Sequence, residues 1–201
     1  MAAPITTFIF DCFGVISDSV INGWYKKNRL DKGLVDKNLS SVLRRFDLGE
    51  LPESGIVDYF LKYKEVTMTA EELRRDIDSY LKLNDGLIEM IRKLKRKGFK
   101  VVLLSNASND FFERKVYPTY PEFKPLFDEI IISSAVRMAK PDKEIYLYAL
   151  DKAGSKPEES LFIDDNAENV KIALDLGMQG LVFTDNAAFE RYVRQHIGDV
   201  L

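Results

Sequence analysis

The sequence predicts an α/β protein built on a doubly wound parallel sheet, a Rossmann-like core, with an all-helical segment inserted near its start. Short apolar runs alternate with helical patterns through most of the chain, which is typical of this fold class. The apolar runs show no polar alternation, and this pattern suits strands that are covered on both faces of a sheet. The chain has 201 residues, of which 46% are hydrophobic, so it can bury one compact core beside an inserted subdomain.

Five short runs rich in Val, Ile, Leu or Phe predict the strands of this sheet. They occupy residues 5–10, 100–104, 129–132, 161–163 and 180–183. Because all five are short and apolar, they suit a parallel sheet that is covered on both faces.

Apolar stripes at helical spacing predict the helices that follow these strands. The clearest helical patterns cover residues 86–97, 143–153 and 167–176. A glycine stands directly after each pattern, where a left-handed C-terminal cap favours this residue, at Gly98, Gly154 and Gly177.

The stretch 17–83 contains no convincing strand and breaks this alternation. Four amphipathic patterns predict helices there, over residues 18–28, 34–45, 53–64 and 70–83. Thr69 and Glu72 match a capping box that opens the last of them. We therefore expect a helical cap over residues 17–83, inserted into a core formed by residues 1–16 and 84–201. Such a cap lies above the strand ends and can close on a substrate.

Acidic side chains stand where two of the predicted strands end. Asp11 ends the first apolar run, and Asp164 and Asp165 end the fourth. Parallel strands bring their carboxyl ends to one edge of a sheet, and ligands bind outside that edge. Carboxylates gathered there disfavour their own ionised forms unless a cation lies among them. Mg²⁺ prefers oxygen ligands, so the sequence predicts a magnesium site.

Four motifs occur in a fixed order near the predicted strand ends. Asp11 belongs to the first, residues 103–106 (Leu-Leu-Ser-Asn) form the second, residues 140–142 (Lys-Pro-Asp) the third, and residues 162–169 the fourth. In this order they resemble the haloacid dehalogenase superfamily of phosphatases with a small helical cap, and the resemblance covers nearly the whole chain. The second to fourth motifs look most like the subgroup that contains bacterial glucose-1-phosphate phosphatase and the phosphatase domain of soluble epoxide hydrolase.

This resemblance implies a catalytic role for Asp11 as the nucleophile that attacks phosphorus. A carboxylate can hold the phosphoryl group as an acyl phosphate, which water then hydrolyses, so one difficult displacement becomes two easier ones. Ser105 and Lys140 match the family residues that assist catalysis and bind the phosphoryl group, together with Asn106 and nearby backbone amides. The expected partner is a small-molecule phosphate ester.

The same resemblance implies the ligands of the Mg²⁺ cofactor. We expect Asp11, the backbone carbonyl of Phe13 and Asp165 to hold the ion, with Asp164 acting directly or through water. Mg²⁺ usually keeps several water ligands, so a small protein ligand set is sufficient.

Phe13 departs from the usual family pattern. Phosphatases of this superfamily usually carry Asp two residues after the nucleophile, where it protonates the leaving group and activates the incoming water. General acid catalysis is typically worth about 10²–10⁴-fold, so its loss predicts a slow enzyme or one restricted to good leaving groups. A sugar anomeric phosphate or an aryl phosphate meets this condition, and the sequence favours a sugar phosphate. The glucose-1-phosphate phosphatase subgroup also lacks this acid.

Two alternatives to a phosphatase stay open at this point. An aromatic residue at position 13 also resembles the true haloacid dehalogenases, whose aspartate attacks carbon without a metal. Their fourth motif resembles Ser-Ser-Asn, whereas this chain keeps Asp164 and Asp165, which are costly to bury without a cation. The second alternative is a catalytically silent protein on the same fold that binds a phospholigand or a partner.

Composition limits the other classes of function. The net charge of −3 gives no electrostatic footprint for nucleic acid, and the basic cluster at residues 92–97 suits the last turns of a helix. One cysteine excludes an intrachain disulfide. We find no signal peptide and no apolar run of about 20 residues, so we expect a cytoplasmic protein that does not contact membranes. The sequence leaves the oligomeric state open.

Several polar residues near the motifs have simpler interpretations. We expect Asp18 to cap the first helix of the inserted segment and Asn166 to cap the helix after the acidic pair. Asn169 is placed to orient a carboxylate. Residues 117–121 contain two prolines and predict a stiff loop.

Overall fold

The computed structural model of the protein describes residues 3–28, 37–62 and 66–201. Five strands form one sheet in the order β3-β2-β1-β4-β5, and every neighbouring pair is parallel. The strands are β1 (Thr7–Phe10), β2 (Lys100–Ser105), β3 (Glu129–Ile132), β4 (Ser160–Asp164) and β5 (Gln179–Val182). The predicted fold class, a doubly wound parallel sheet with helices on both faces, is confirmed.

Helices fill the intervals between these strands. Four of them lie between β1 and the helix that leads into β2: α1 (Val20–Lys27), α2 (Lys37–Asp47), α3 (Glu53–Phe60) and α4 (Ala70–Asp78). The longer helices of the remaining chain are α5 (Asp85–Arg96), α9 (Lys143–Ala153), α10 (Ala167–Asp175) and α11 (Asn186–His196). Short helical turns follow β2 and β3, namely α6 (Asn109–Phe111), a π-helical turn (Phe112–Val116), α7 (Tyr117–Thr119) and α8 (Ser133–Val136).

The register of the central strand sets the position of the acidic residues. Phe10 pairs with Leu103 of β2 and with Ile163 of β4, so the carboxyl ends of three strands lie side by side. Asp11 follows β1 directly, and its backbone N–H donates to the carbonyl of Ile163 at 2.9 Å. The strand ends therefore meet at one edge, as the sequence predicts.

Both faces of the three central strands, β2, β1 and β4, are buried, whereas the edge strand β5 has no fully buried residue and its Val182 is exposed. Phe8 and Phe10 point into one apolar cluster, while Ile9 between them points into the other. This alternation follows from the period of two along a strand, because neighbouring side chains of β1 leave opposite faces. Burial on both faces explains why the sequences of the central strands show no polar alternation.

The chain enters and leaves the four-helix segment through adjacent backbone. The N–H of Asp18 donates to the carbonyl of Lys82 at 3.0 Å, and the N–H of Asn84 donates to Ile16 at 2.8 Å. Asp18 is therefore paired with the returning chain, and Ser19 takes the N-cap position of α1, where no side-chain cap bond forms. The prediction that Asp18 caps this helix is wrong for that reason. The division into a core and a cap at residues 17 and 83 stays a prediction.

Most of the predicted helices and strands are confirmed, with bounds that shift by a few residues. Parts of two predicted helices, residues 34–36 and 63–64, lie outside the described residues. The predicted loop over residues 117–121 is wrong in its first half, because Tyr117–Thr119 continues the helical path that begins at Asn109. Pro118 is accommodated near the start of this short helix, where a missing N–H costs no hydrogen bond.

Candidate active site

The carboxyl edge of the sheet gathers the residues that the sequence selects. Asp11 follows β1, Ser105 ends β2, and Asp164 ends β4 with Asp165 beside it. Lys140 reaches the same edge from the loop before α9. Strand ends and one loop therefore bring together side chains that are far apart in the sequence.

Lys140 lies between two of the carboxylates. Its Nζ donates to Asp11 Oδ1 at 2.6 Å and to Asp164 Oδ2 at 2.7 Å. All three residues are buried, with exposed fractions of 3% for Lys140, 6% for Asp11 and 0% for Asp164. A buried ammonium shared by two carboxylates neutralises only one of their two charges, so the group keeps an excess of negative charge.

Asp164 is held by further hydrogen bonds. Asn169 Nδ2 lies 3.1 Å from both carboxylate oxygens, and the N–H of Asn166 donates to Oδ1 at 2.8 Å. The orienting role predicted for Asn169 is confirmed. Asn166 also accepts from the N–H of Glu168 at 2.9 Å, so its predicted capping of α10 is confirmed.

Burial and charge shift the pKa values of these groups. Burial raises the pKa of Asp11 to about 7, with the charge of Asp164 adding to the rise and Lys140 opposing it. Burial alone lowers the pKa of Lys140, but the charges of Asp11 and Asp164 outweigh it and hold the pKa above its usual range. Burial also raises the pKa of Asp165, and the charge of Asp164 raises it further. Asp11 and Asp165 therefore resist ionisation in the absence of a cation.

The carboxylate oxygens are close enough to share one ion. One oxygen from each of Asp11, Asp164 and Asp165 lies within 4.8 Å of the others. Gly14, with a φ of +99°, packs against Asp165, and a Cβ at this position overlaps the Asp165 carboxylate. Glycine therefore allows both the left-handed backbone and the close approach of Asp165. The excess negative charge, the all-oxygen donor set and the short separations fit a hard divalent cation such as Mg²⁺.

Ser105 and Asn106 occupy different surroundings at the end of β2. The hydroxyl of Ser105 is buried and, within the described part of the chain, has no hydrogen-bond partner. Asn106 lines the cavity, but its side-chain amide is bonded to the backbone of Lys140 on both atoms, at 2.8 and 2.9 Å. Asn106 thereby fixes the loop that carries Lys140. The predicted binding of substrate by Ser105 and Asn106 stays a prediction.

A cavity of about 440 Å³ opens above these residues. Its floor includes Asp11, Lys140, Asp164 and Asp165, and its walls come from α1 to α4 and from the segment after β2. The ring of Phe13 also lines it and lies 6.0 Å from the ring of Phe111. The side chain two residues after Asp11 is therefore an aromatic ring that can neither give nor take a proton.

The structure adds cavity residues that the sequence did not reveal. Arg114 lies in the π-helical turn, and its two terminal nitrogens, Nη1 and Nη2, donate to the carboxylate of Asp78 in α4 at 2.5 and 3.1 Å. Its Nε donates to Glu53 of α3 at 3.1 Å. Arg44 of α2, which is not among the cavity-lining residues, donates to the carbonyl of Lys140 at 3.1 Å. These partners are far apart in sequence, and no local spacing pattern signals them.

A parallel Rossmann-like sheet that gathers buried carboxylates and a lysine at its carboxyl edge defines an α/β protein with a ligand site at that edge. The family model for haloacid dehalogenase-like hydrolases matches residues 5–177. The chain belongs to this family.

Curated relatives match part of the chain. The bifunctional epoxide hydrolase 2 of Rattus norvegicus is 31% identical over 118 residues, which cover 58% of this chain and 21% of the relative. A sesquiterpene phosphatase of Aspergillus oryzae is 32% identical over 126 residues, which cover 62% of each protein. The chain thus spans about a fifth of the first relative's length and less than two thirds of the second's.

Solved structures share the fold. A haloacid dehalogenase family enzyme from Bacteroides thetaiotaomicron, in complex with magnesium and inorganic phosphate, aligns with a TM-score of 0.71 at 23% identity. The alignment covers 90% of this chain and 96% of that one. Within the described residues, no helix is long and apolar enough to cross a membrane.

Proposed function

We propose that this protein is a Mg²⁺-dependent phosphatase that hydrolyses small phosphorylated metabolites through a phosphoaspartyl intermediate on Asp11. The observation that carries the proposal is the convergence of Asp11, Asp164 and Asp165 within 4.8 Å, with Lys140 bonded to the first two. The phosphatase among the relatives and the solved complex with magnesium and phosphate support it.

Asp11 performs the nucleophilic step in this proposal. An Asp11 carboxylate oxygen forms a bond to phosphorus as the bond to the ester oxygen breaks, and the ester oxygen departs with the bonding electron pair as an alkoxide or aryloxide, which takes its proton from water. Water then attacks phosphorus, releases inorganic phosphate and restores the carboxylate. Lys140 stabilises the negative charge on the phosphoryl oxygens and holds Asp11 in place. The unpartnered hydroxyl of Ser105 is a donor for one of these oxygens.

The acidic residues divide the task of holding the cation. Both oxygens of Asp164 already accept hydrogen bonds from Lys140 or Asn169, so we assign Asp164 to the ion through water. Asp11 and Asp165 are the direct carboxylate ligands, joined by the Phe13 carbonyl. When bound, Mg²⁺ neutralises charge on the transferring phosphoryl group and links it to the protein.

Phe13 sets the class of leaving group. Without an acid at this position the leaving oxygen departs with little protonation, so esters of weakly basic alcohols react fastest. A sugar anomeric phosphate and an aryl phosphate both meet this requirement, and the sugar phosphate favoured by the sequence belongs to this part of the proposal. The same reasoning predicts a steep dependence of rate on the acidity of the leaving alcohol. We place this activity in the cytoplasm, as the composition suggests.

The two alternative functions make different demands on the site. A metal-independent dehalogenase has no use for the excess negative charge of Asp164 and Asp165. A silent binding protein has no need for a buried lysine shared by two aspartates, because that arrangement is costly to build. The phosphatase uses all of these features.

Phosphate release tests the proposal directly. We would assay sugar phosphates, nucleotides and aryl phosphates with Mg²⁺ or with a chelator, for the native protein and for Asp11→Asn. Asp175→Asn is the matched control, because Asp175 is an exposed aspartate at the end of α10. We expect metal-dependent release that Asp11→Asn abolishes and Asp175→Asn preserves. Release of halide from haloacids without metal would support the dehalogenase, and no turnover of any compound would favour the silent protein.

A further inference from the structure

The upper wall of the cavity is more apolar than polar, although Asp47, Glu53, Asp78 and Arg114 also line it. Each of the four helices α1 to α4 contributes apolar side chains to it, among them Val20, Leu43, Ile56 and Ile77, while Phe13 and Phe111 line it from the core. A substrate body rich in hydroxyl groups loses hydrogen bonds to water against such a wall. An apolar body instead gains free energy from the surface that it buries there.

One cation in this wall has no partner among the residues that the structure describes. Within the described part of the chain, three cationic side chains line the cavity: Arg74, Arg114 and Lys140. Lys140 and Arg114 are each bonded to two acidic groups. Arg74 forms no ion pair with any described residue, and its Nε is buried without a hydrogen-bond partner.

The surroundings of Arg74 explain why it stays unpaired. Asp78 lies one turn further along α4, but both of its carboxylate oxygens are bonded to Arg114. In the first turn of α4, Glu71 lies 4.0 Å from Arg75, and the carboxylate of Glu72 accepts hydrogen bonds from Thr69. A guanidinium with a buried, unsatisfied N–H in a cavity wall needs an acceptor, and an anionic group that binds through two parallel hydrogen bonds satisfies it best.

We infer that the substrate is a phosphomonoester with an apolar aromatic body and a second anionic group that pairs with Arg74. The inference rests on the proposed function and narrows its substrate class. Phe13 favours a weakly basic leaving group, and the apolar wall selects the aryl ester over the sugar ester. A carboxylate and a phosphate share the chemistry that Arg74 recognises, and Arg74 is the specificity residue.

Esters of matched phenols separate the distal group from the leaving group. We would compare kcat/KM for para-butylphenyl phosphate, for the same ester ending in a carboxylate and for the same ester ending in a phosphonate, with a glucose anomeric phosphate as the sugar arm. The leaving oxygen is equivalent in the three aryl esters, so Phe13 affects them alike. Because the anionic ester gains a charged hydrogen bond to Arg74, we expect the kcat/KM of the better anionic ester to exceed that of the butyl ester roughly 10- to 100-fold. A higher kcat/KM for the carboxylate ester identifies a carboxylate as the second anionic group, and a higher kcat/KM for the phosphonate ester identifies a phosphate.

Variants of α4 assign this advantage to Arg74. Arg74→Met keeps an unbranched side chain but removes its charge. We expect the kcat/KM ratio of the anionic ester to the butyl ester to fall close to one in this variant. Arg74→Lys keeps a point charge and is expected to restore part of the ratio. Arg75→Met is the matched control, because Arg75 is the next residue of the same helix and does not line the cavity. An unchanged ratio in Arg74→Met, or faster turnover of the sugar ester than of every aryl ester, overturns the inference.

Binding separates failure of this inference from failure of the proposed function. If no ester is hydrolysed in the presence of Mg²⁺, the proposed function fails, and titration calorimetry of the same esters still measures recognition by Arg74. Tighter binding of the anionic ester, lost in Arg74→Met and kept in Arg75→Met, supports the inference alone. Equal affinities for the anionic and butyl esters, or no binding of either, overturn it.

Discussion

Lys140 Nζ lies 2.6 Å from Asp11 Oδ1, and both side chains are almost completely excluded from solvent. This ion pair joins the loop before α9 to the end of the central strand. It fixes the orientation of the proposed nucleophile and supplies the cation that stabilises the transferring group. The same contact makes the site sensitive to the loss of either partner.

Lys140→Met leaves Asp11 and Asp164 buried beside each other without their shared counter-ion. Breaking a buried ion pair by removing one partner typically costs about 3–5 kcal/mol. We expect a comparable loss in the free energy of unfolding, measured with urea in the presence of a chelator, and a loss of turnover of at least 10²-fold. Added Mg²⁺ is expected to stabilise this variant more than the native protein. Lys171→Met, an exposed position on α10, is the control and should change neither quantity.

The raised pKa of Asp11 predicts a pH dependence of stability. The pKa is about 7 in the folded protein, above the ordinary value of 3.8, because burial disfavours the carboxylate. The folded state therefore binds the proton more tightly, and the contribution of Asp11 to stability is present below about pH 4 and is lost as the pH rises through 7. We expect the free energy of unfolding in chelator to fall between these limits more steeply for the native protein than for Asp11→Asn. Saturating Mg²⁺ should remove most of the difference, and parallel curves for the two proteins would contradict the assignment.

Asn169→Leu tests the support of Asp164. Asn169 donates to both oxygens of this carboxylate, and substitution by a residue of similar size removes the hydrogen bonds but keeps the packing volume. Loss of a side chain that is hydrogen-bonded to a metal-binding carboxylate typically lowers metal affinity or activity about 10–100-fold. We therefore expect the Mg²⁺ concentration that gives half-maximal phosphate release to rise by about 10–100-fold in this variant. Glu168→Gln changes the exposed neighbouring residue and serves as the control. Equal Mg²⁺ requirements in both variants would show that Asn169 does not act through the metal site.

Arg114→Met removes the link between the segment after β2 and helices α3 and α4. Asp78 is 8% exposed and loses the partner of both its oxygens. Because the Arg114 side chain is 36% exposed, solvent weakens the pair, and we expect a loss of about 1–2 kcal/mol in the free energy of unfolding. Faster hydrogen exchange is expected in α3 and α4. Arg96→Met, an exposed position on α5, should leave exchange in these helices unchanged.

Local patterns predicted the elements of the fold well. The helix over Lys143–Ala153 and the strand over Glu129–Ile132 match their predicted bounds, because each has an apolar pattern bounded by turn residues. The capping box of Thr69 and the left-handed glycine at Gly154 are also confirmed, since both depend on residues close in sequence. The π-helical turn over Phe112–Val116 was missed, because its stability comes from packing and not from a spacing signal.

Tertiary contacts limit what the sequence tells of the site. Strand ends placed Asp11 and Asp164 together, since a parallel sheet brings its carboxyl ends to one edge. Nothing in the sequence around Arg114 indicates Asp78 or Glu53, which lie 36 and 61 residues away. Arg114 is paired, and Arg74 has no ion-pair partner among the described residues, because of how α3 and α4 pack against each other and meet the segment after β2. Periodicity alone does not fix that arrangement.

Mass spectrometry of the acid-quenched protein tests the central claim most directly. After brief mixing with Mg²⁺ and a reactive aryl phosphate, we expect one additional phosphoryl group on the peptide that contains Asp11. The group should be absent in chelator and in Asp11→Asn, and present in the control Asp175→Asn. Release of phosphate without a phosphorylated peptide, or release that persists in Asp11→Asn, would contradict the phosphoaspartyl mechanism.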